Sequence, residues 1–274
     1  MLHVSLIPLT DEELDSLSVE GLVARMDHFL ATNRLERYGA VTVAEGFSSR
    51  PTVAEFVATN AISQQSDDRR RALAHLCFGF LIQLELCEVA GGMANRELYN
   101  HNFNAECNHS PAFRLRDGVF WQYDIVASRM AMEVFMDLLY SIDTGKRIQW
   151  KKSKIGEFRK WLQRTDNRFV YFAHVLLGAY QFDRKHRTPE IHGASKLPRR
   201  FLLMQTPDSE TRNESVTLMG ALMNVWHPLI VLLEGGKPIY MNVGDEQMNW
   251  FNSYQHGTPT DVDKAVKELL AEIG

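Results

Sequence analysis

Apolar residues recur along most of the chain with the 3.6-residue period of amphipathic α-helices. In the stretch 66–90 this period includes Leu73 and Leu84 and predicts one long helix, which Gly91-Gly92 is expected to end. The same spacing predicts one or two helices over 11–37 and two more helices after residue 234. Single helices are predicted over 52–62, 119–142, 153–164, 167–184 and 209–234, and the last of these is interrupted near Pro228. A polar loop is expected over about 94–118.

No internal repeat and no low-complexity linker separates these elements. The sequence therefore predicts an all-α protein whose helices pack as one compact bundle with helical additions at both ends. Three segments are expected: an N-terminal helical extension over 1–65, a helical core over 66–236 and a C-terminal helical appendage over 237–274.

The composition is that of a folded globular protein, since 274 residues with 45% hydrophobic and 23% charged side chains can bury a full core. The net charge of −4 argues against a protein that coats nucleic acid by charge alone, so RNA contact would depend on local basic patches. The first residues lack the basic start of a signal peptide, and no apolar run reaches the length of a membrane-spanning helix. We expect a cytoplasmic protein with no membrane partner.

The three cysteines, Cys77, Cys87 and Cys107, form no C-x-x-C pair, which favours free buried thiols in a reducing compartment. Cys107 shares a predicted loop with His101 and His109, but their spacing fits no zinc-binding pattern. The chain also has no glycine-rich phosphate loop. We therefore expect neither a metal nor a cofactor.

The greatest density of reactive side chains lies between residues 184 and 193, directly after a predicted apolar helix. Thr188 is a suitable N-cap, a proline follows at the first helical position, and Glu190 adds negative charge to the first turn. Arg187 and His192 then occupy the two positions whose side chains meet at a helix entry. A helix N-terminus also attracts phosphate, so this segment predicts an anion site between a guanidinium and an imidazole.

The spacing of arginine and histidine is not distinctive by itself. It recurs in Arg70 with His75, Arg96 with His101, and Arg168 with His174. The alternative to an anion site is therefore a capped surface turn with incidental charges. Only the context of the helix start favours Arg187 with His192 as the functional pair.

The run Arg187-Thr-Pro-Glu-Ile-His192-Gly resembles the signature of the HEPN superfamily, in which four to six residues separate an arginine from a histidine. Residues 123–133 and the sequence Lys152-Ser-Lys154 are similar to an uncharacterised bacterial branch of that superfamily. The resemblance covers roughly residues 66–236.

This resemblance implies an all-helical domain that forms a homodimer and acts as a metal-independent endoribonuclease, often as a toxin or anti-phage effector. His192 would take the proton of a ribose 2′-hydroxyl, and Arg187 would stabilise charge on the attacked phosphate. RNA is the expected substrate, and an antitoxin or regulatory protein is an expected partner. The residues expected to hold the substrate are Arg184, His186, Thr188, Glu190, Lys196 and Arg199.

Thr188 departs from the Asn, Asp or His that follows the arginine in many active members. Because some members are inactive, a catalytically inactive module that binds a nucleotide, an RNA or a protein partner is the alternative function. A purely structural helical protein is a third interpretation.

Two other charged groups qualify as binding elements. Arg129, Glu133 and Asp137 form one stripe at four-residue spacing, which is either a narrow solvated face or a surface that faces the motif or a partner subunit. In the second case Arg129 and Glu133 support the site, with Glu133 orienting His192 or pairing with Arg187. Residues 146–154 combine five cations with Trp150, which suits phosphate contacts and base stacking, although a solvated loop is the alternative. The run Arg69-Arg70-Arg71 is expected at the surface or in an interface, without a chemical role.

Overall fold

The computed structural model of the chain describes residues 7–33, 51–103, 111–149, 154–162, 164, 169, 172 and 225–236. Every regular element in these ranges is a helix, which confirms the predicted all-α class. In chain order the helices are α1 (Asp11–Ser16), α2 (Val19–Asn33), α3 (Val53–Ala58), α4 (Asn60–Ser63), α5 (Asp67–Phe103), α6 (Pro111–Thr144), α7 (Lys154–Leu162) and α8 (Trp226–Leu233). None of the helices described is both long and apolar enough to cross a membrane.

Helices α5 and α6 form a long antiparallel pair that organises the core. Arg69 donates a hydrogen bond to the carbonyl of Ser141, and further along the pair the ring of Phe80 lies 4.9 Å from that of Phe135. Residue numbers therefore rise along α5 as they fall along α6. Each helix is roughly 50 Å long at 1.5 Å per residue, and the buried side chains between them form the centre of the hydrophobic core.

The far end of this pair differs from the prediction. Gly91-Gly92 lies inside α5, which continues to Phe103, and α6 already begins at Pro111. Two glycines in a helix interior cost about 2 kcal/mol relative to alanine, but the run 93–98 that follows consists mostly of good helix formers. Pro111 suits the first helical position because its missing N–H would have no partner within the helix. The predicted loop is therefore wrong over 94–103 and 111–118, and residues 104–110 lie outside the described residues.

The N-terminal residues form two helices, as predicted over 11–37. Thr10 and Glu13 form a capping box at the start of α1, in which the Thr10 hydroxyl accepts from the Glu13 N–H and the Glu13 carboxylate accepts from the Thr10 N–H at 2.8 Å. Helix α2 buries Leu22 and Met26 in the core and packs against α3 and α5.

The single helix predicted over 52–62 is divided at Thr59, whose extended backbone ends α3 before α4 begins. The start of α3 is fixed by Asp27 of α2, which accepts hydrogen bonds from the backbone N–H groups of Val53 at 2.7 Å and Ala54 at 2.9 Å. These N–H groups have no intrahelical partner, so the carboxylate both caps α3 and fastens it to α2.

The run Arg69-Arg70-Arg71 joins three elements. Arg69 binds the carbonyl of Ser141 near the end of α6, and Arg71 binds the carbonyl of Leu17, which follows α1. Arg70 forms ion pairs of 3.1 Å with Glu20 and 3.2 Å with Asp67. Cations favour helix C-termini, where carbonyl groups lack partners. These arginines therefore hold the helices together, and this intramolecular role was not predicted.

His75, which is exposed on α5, is expected to make stability depend on pH. Partial desolvation and the Arg71 guanidinium lower the pKa of His75, and Asp15 opposes them. The folded protein then binds this proton less readily than the unfolded chain, so the free energy of unfolding falls as pH drops below about 6.5, the usual histidine value. Solvent exposure keeps the effect small. In urea unfolding at about pH 8 and about pH 5.5, His75→Gln should lose less stability on acidification than the wild type; equal losses would contradict the prediction.

Two indole groups fasten the last described helices. Trp161 of α7 donates to Asp143 Oδ2 at 2.7 Å, and Trp226 of α8 donates to Glu55 Oε2 at 2.8 Å. Pro228 lies in the first turn of α8, where a missing N–H costs no helical hydrogen bond.

One hydrophobic cluster contains buried residues from α2 through α8, so the predicted extension and the predicted core share it. The division into three segments stays a prediction.

Candidate functional site

The Arg/His motif lies outside the described residues. This applies to Arg187 and His192 and to the predicted substrate contacts Arg184, His186, Thr188, Glu190, Lys196 and Arg199. The roles assigned to these side chains stay predictions. Of the preceding helix predicted over 167–184, the described positions are Phe169 and Phe172, both of which are fully buried.

Two predicted site residues, Arg129 and Glu133, lie in the described part of α6. Their four-residue spacing places the side chains one turn apart, and Arg129 Nη2 lies 2.9 Å from Glu133 Oε1. The Arg129 side chain is 14% exposed and the Glu133 side chain 33%. Because the pair is largely enclosed, its geometry is better fixed than that of an ion pair on an open surface.

The third member of the stripe, Asp137, is buried, with 1% of its side chain exposed. The interpretation of the stripe as a solvated face is therefore wrong. A buried carboxylate requires a positive partner or hydrogen-bond donors, and Arg147, ten positions further along the chain, places Nη2 3.2 Å from Asp137 Oδ2. This partnership was missed because Arg147 lies beyond the end of the helix and the sequence between the two residues shows no pattern that links them.

The exposure of the charged side chains in this stripe therefore changes along α6. At one end Glu133 is partly exposed and held by Arg129, and at the other end Asp137 is enclosed and paired with Arg147. A carboxylate has about four lone-pair positions, so Glu133 has the capacity to accept several hydrogen bonds while it is paired with Arg129. Such a carboxylate is suited to orienting a histidine or arginine that approaches α6, which is the supporting role expected for Glu133.

Replacing Arg147 with glutamine is expected to lower the free energy of unfolding by about 2 kcal/mol, because the Asp137 carboxylate stays buried without this cation. The value lies below the range for fully buried pairs because the Arg147 side chain is 68% exposed. Urea denaturation measures the loss, and the double variant Arg147→Gln/Asp137→Asn should recover part of it.

The matched control is Lys160→Gln on α7. Lys160 pairs with Glu157 at 3.3 Å, but its side chain is 71% exposed, so we expect a loss below about 0.5 kcal/mol. Equal losses in Arg147→Gln and Lys160→Gln would show that the buried carboxylate does not depend on Arg147.

No group of three or more His, Cys, Asp or Glu side chains that could hold a metal occurs in the described part of the chain. His101 lies on α5 instead of in the predicted loop, while Cys107 and His109 lie outside the described residues. Cys77 is a free, buried thiol, as predicted, and Cys87 is also buried. Burial raises the pKa of the Cys77 thiol well above its usual value, so Cys77 is an unreactive core residue.

Comparison of the chain with family models, with curated proteins and with solved structures finds no match. The resemblance to the HEPN superfamily therefore depends on the motif residues of the sequence.

Proposed function

We propose that this protein is a metal-independent endoribonuclease of the HEPN type, which cleaves RNA by attack of a ribose 2′-hydroxyl on the adjacent phosphate. The observation that carries the proposal is the run Arg187-Thr-Pro-Glu-Ile-His192, whose N-cap and proline predict a helix start between a guanidinium and an imidazole. The all-α architecture of the described residues is compatible with it.

In this proposal His192 removes the 2′-hydroxyl proton, and Arg187 stabilises the negative charge that develops on the attacked phosphate. The products are a 2′,3′-cyclic phosphate and a 5′-hydroxyl. A homodimer supplies a second Arg/His pair and with it a general acid for the leaving oxygen. Arg184, His186, Lys196 and Arg199 hold the RNA backbone, and Thr188 and Glu190 form the helix start next to the phosphate.

Glu133 acts in this proposal as a positioning residue, either by orienting His192 or by pairing with Arg187. Its partial exposure and its fixed contact with Arg129 support this role. Glu133→Gln is expected to reduce cleavage about tenfold, and because a nearby carboxylate raises the pKa of a histidine, the acid limb of the pH–rate profile should move down by about one unit. This shift of the acid limb is expected if Glu133 orients His192, whereas pairing with Arg187 predicts the reduced rate without the shift. An unchanged rate would contradict both roles, and a lowered melting temperature would indicate a purely structural role.

The test of the proposed activity is incubation of the purified protein with RNA in the presence of EDTA. Formation of 2′,3′-cyclic phosphate ends supports the proposal, and His192→Ala protein purified in parallel controls for contaminating nucleases. No cleavage of any RNA by the wild type, or equal cleavage by the variant, overturns it.

The alternative is a catalytically inactive HEPN-like module that binds a nucleotide, an RNA or a protein partner such as an antitoxin. Thr188 favours it, because many active members carry Asn, Asp or His at this place. It predicts ligand binding that Arg187→Ala and His192→Ala weaken, with no product formed by the wild type.

A further inference from the structure

The corner between α6 and α7 concentrates positive charge in an otherwise acidic protein. Residues 144–164 contain eight Lys and Arg and one acidic residue, Glu157, in a chain whose net charge is −4. Four of these cations, Lys146, Arg147, Lys160 and Arg164, are described and exposed, and we call these four residues the basic corner.

The α6 side of the basic corner is held rigidly by buried groups. Ile148 is buried in the core next to Arg147, and the Ser141 hydroxyl donates to the Lys146 carbonyl at 3.0 Å. Arg147 pairs with the buried Asp137 carboxylate at 3.2 Å, which orients the exposed guanidinium and offsets part of its positive charge. Lys146 and Arg147 are thus fixed at the backbone and exposed at the side chain.

The α7 side is fixed by aromatic packing. Phe158, Trp161 and Leu162 are buried, and the Trp161 ring lies 5.7 Å from Tyr140 near the end of α6. This packing leaves Lys160 and, one turn beyond Trp161, Arg164 in solvent. Trp161, which lies between Lys160 and Arg164 in the sequence, therefore holds this side of the basic corner against the end of α6.

Two exposed or partly exposed acidic groups lie in the same corner. Asp143 accepts the hydrogen bond from Trp161, and Glu157 pairs with Lys160 at 3.3 Å. Counted along the sequence, residues 137–164 hold eight cations and three acids, the enclosed Asp137 included, so the net charge of this segment is positive. The side chains that the structure describes are four of these cations and the three acids.

From this arrangement we infer that the basic corner is a docking surface for the phosphate backbone of single-stranded RNA, formed by residues other than those of the Arg/His motif. Exposed cations on a rigid support, in a protein whose net charge opposes nonspecific binding, favour a local contact with a polyanion. The choice of RNA as that polyanion rests on the proposed function.

The test is fluorescence anisotropy with a labelled single-stranded 2′-O-methyl RNA, which binds like RNA but lacks the attacking hydroxyl. The variant Lys146→Gln/Lys160→Gln/Arg164→Gln removes three exposed cations and spares Arg147, whose loss would disturb Asp137. We expect its affinity to fall by more than about tenfold near 0.1 M salt and the slope of log K against log salt to lose about two units, since each single-strand phosphate contact contributes about 0.7.

The matched control is Ala24→Glu/Gln64→Glu/Ala72→Glu, which changes the net charge by the same amount at exposed positions on α2, after α4 and on α5. Thermal melts of both variants verify folding. The inference is overturned if the wild type does not bind the oligonucleotide, if the control loses as much affinity, or if the basic corner proves necessary only for binding vesicles rich in phosphatidylserine. Binding that depends on the basic corner, in a protein that cleaves no RNA, would sustain this inference while the proposed catalytic function fails.

Discussion

Phe135→Ala is expected to lower the free energy of unfolding by about 3–5 kcal/mol, the largest stability loss among the substitutions considered. Phe135 is fully buried in the second half of α6. Its ring contacts Phe80 of α5 at 4.9 Å and meets Phe172 edge-on at 5.2 Å. Truncation therefore removes the contact between three parts of the chain and leaves a cavity that two long helices cannot easily collapse to fill.

Urea unfolding followed by circular dichroism measures this loss. Met130→Ala is the matched control, because Met130 lies on the same helix but is exposed, and we expect it to lose less than about 1 kcal/mol. Phe135→Leu retains part of the volume and should recover a substantial share of the stability. If Phe135→Ala and Met130→Ala lost similar amounts of unfolding free energy, the packing of α5 on α6 around Phe135 would contribute little to stability.

The hydrophobic period predicted the helices well where burial dominates. Leu73, Phe80 and Leu84 repeat at helical spacing on α5, and all three are buried in the hydrophobic core. The error at Gly91-Gly92 shows the limit of local signals, since glycine lowers helix stability by an amount that good helix formers on either side can offset. The interruption at Thr59 was missed for the opposite reason, because that residue has ordinary helix propensity and ends α3 through its extended backbone.

The charged stripe shows what spacing can and cannot determine. Arg129 and Glu133 form the ion pair that four-residue spacing predicts. Asp137, eight residues from Arg129, is rotated by about 80° around the helix at 3.6 residues per turn, and this rotation takes it from the partly exposed side into the core. Its partner Arg147 belongs to a different segment, so only the three-dimensional structure could reveal the pair.

The remaining large effect concerns catalysis. His192→Ala and Arg187→Ala are each expected to reduce RNA cleavage by about 10²-fold or more, because the first removes the general base and the second removes the charge that stabilises the transition state. Since neither change truncates an apolar core side chain in this proposal, we expect the melting temperature to stay close to that of the wild type.

The rate is measured as release of cyclic phosphate ends with EDTA present, and the control is His227→Ala, which removes an exposed histidine from α8. If the two motif residues act as one unit, the double variant Arg187→Ala/His192→Ala should be no slower than the more impaired single variant. The reason is that the rate losses caused by substituting residues that act together in catalysis are not additive. A lowered melting temperature with a proportionate loss of activity would instead assign Arg187 and His192 to the fold. Independent, multiplicative losses would place their side chains in separate environments and remove the basis for a shared anion site.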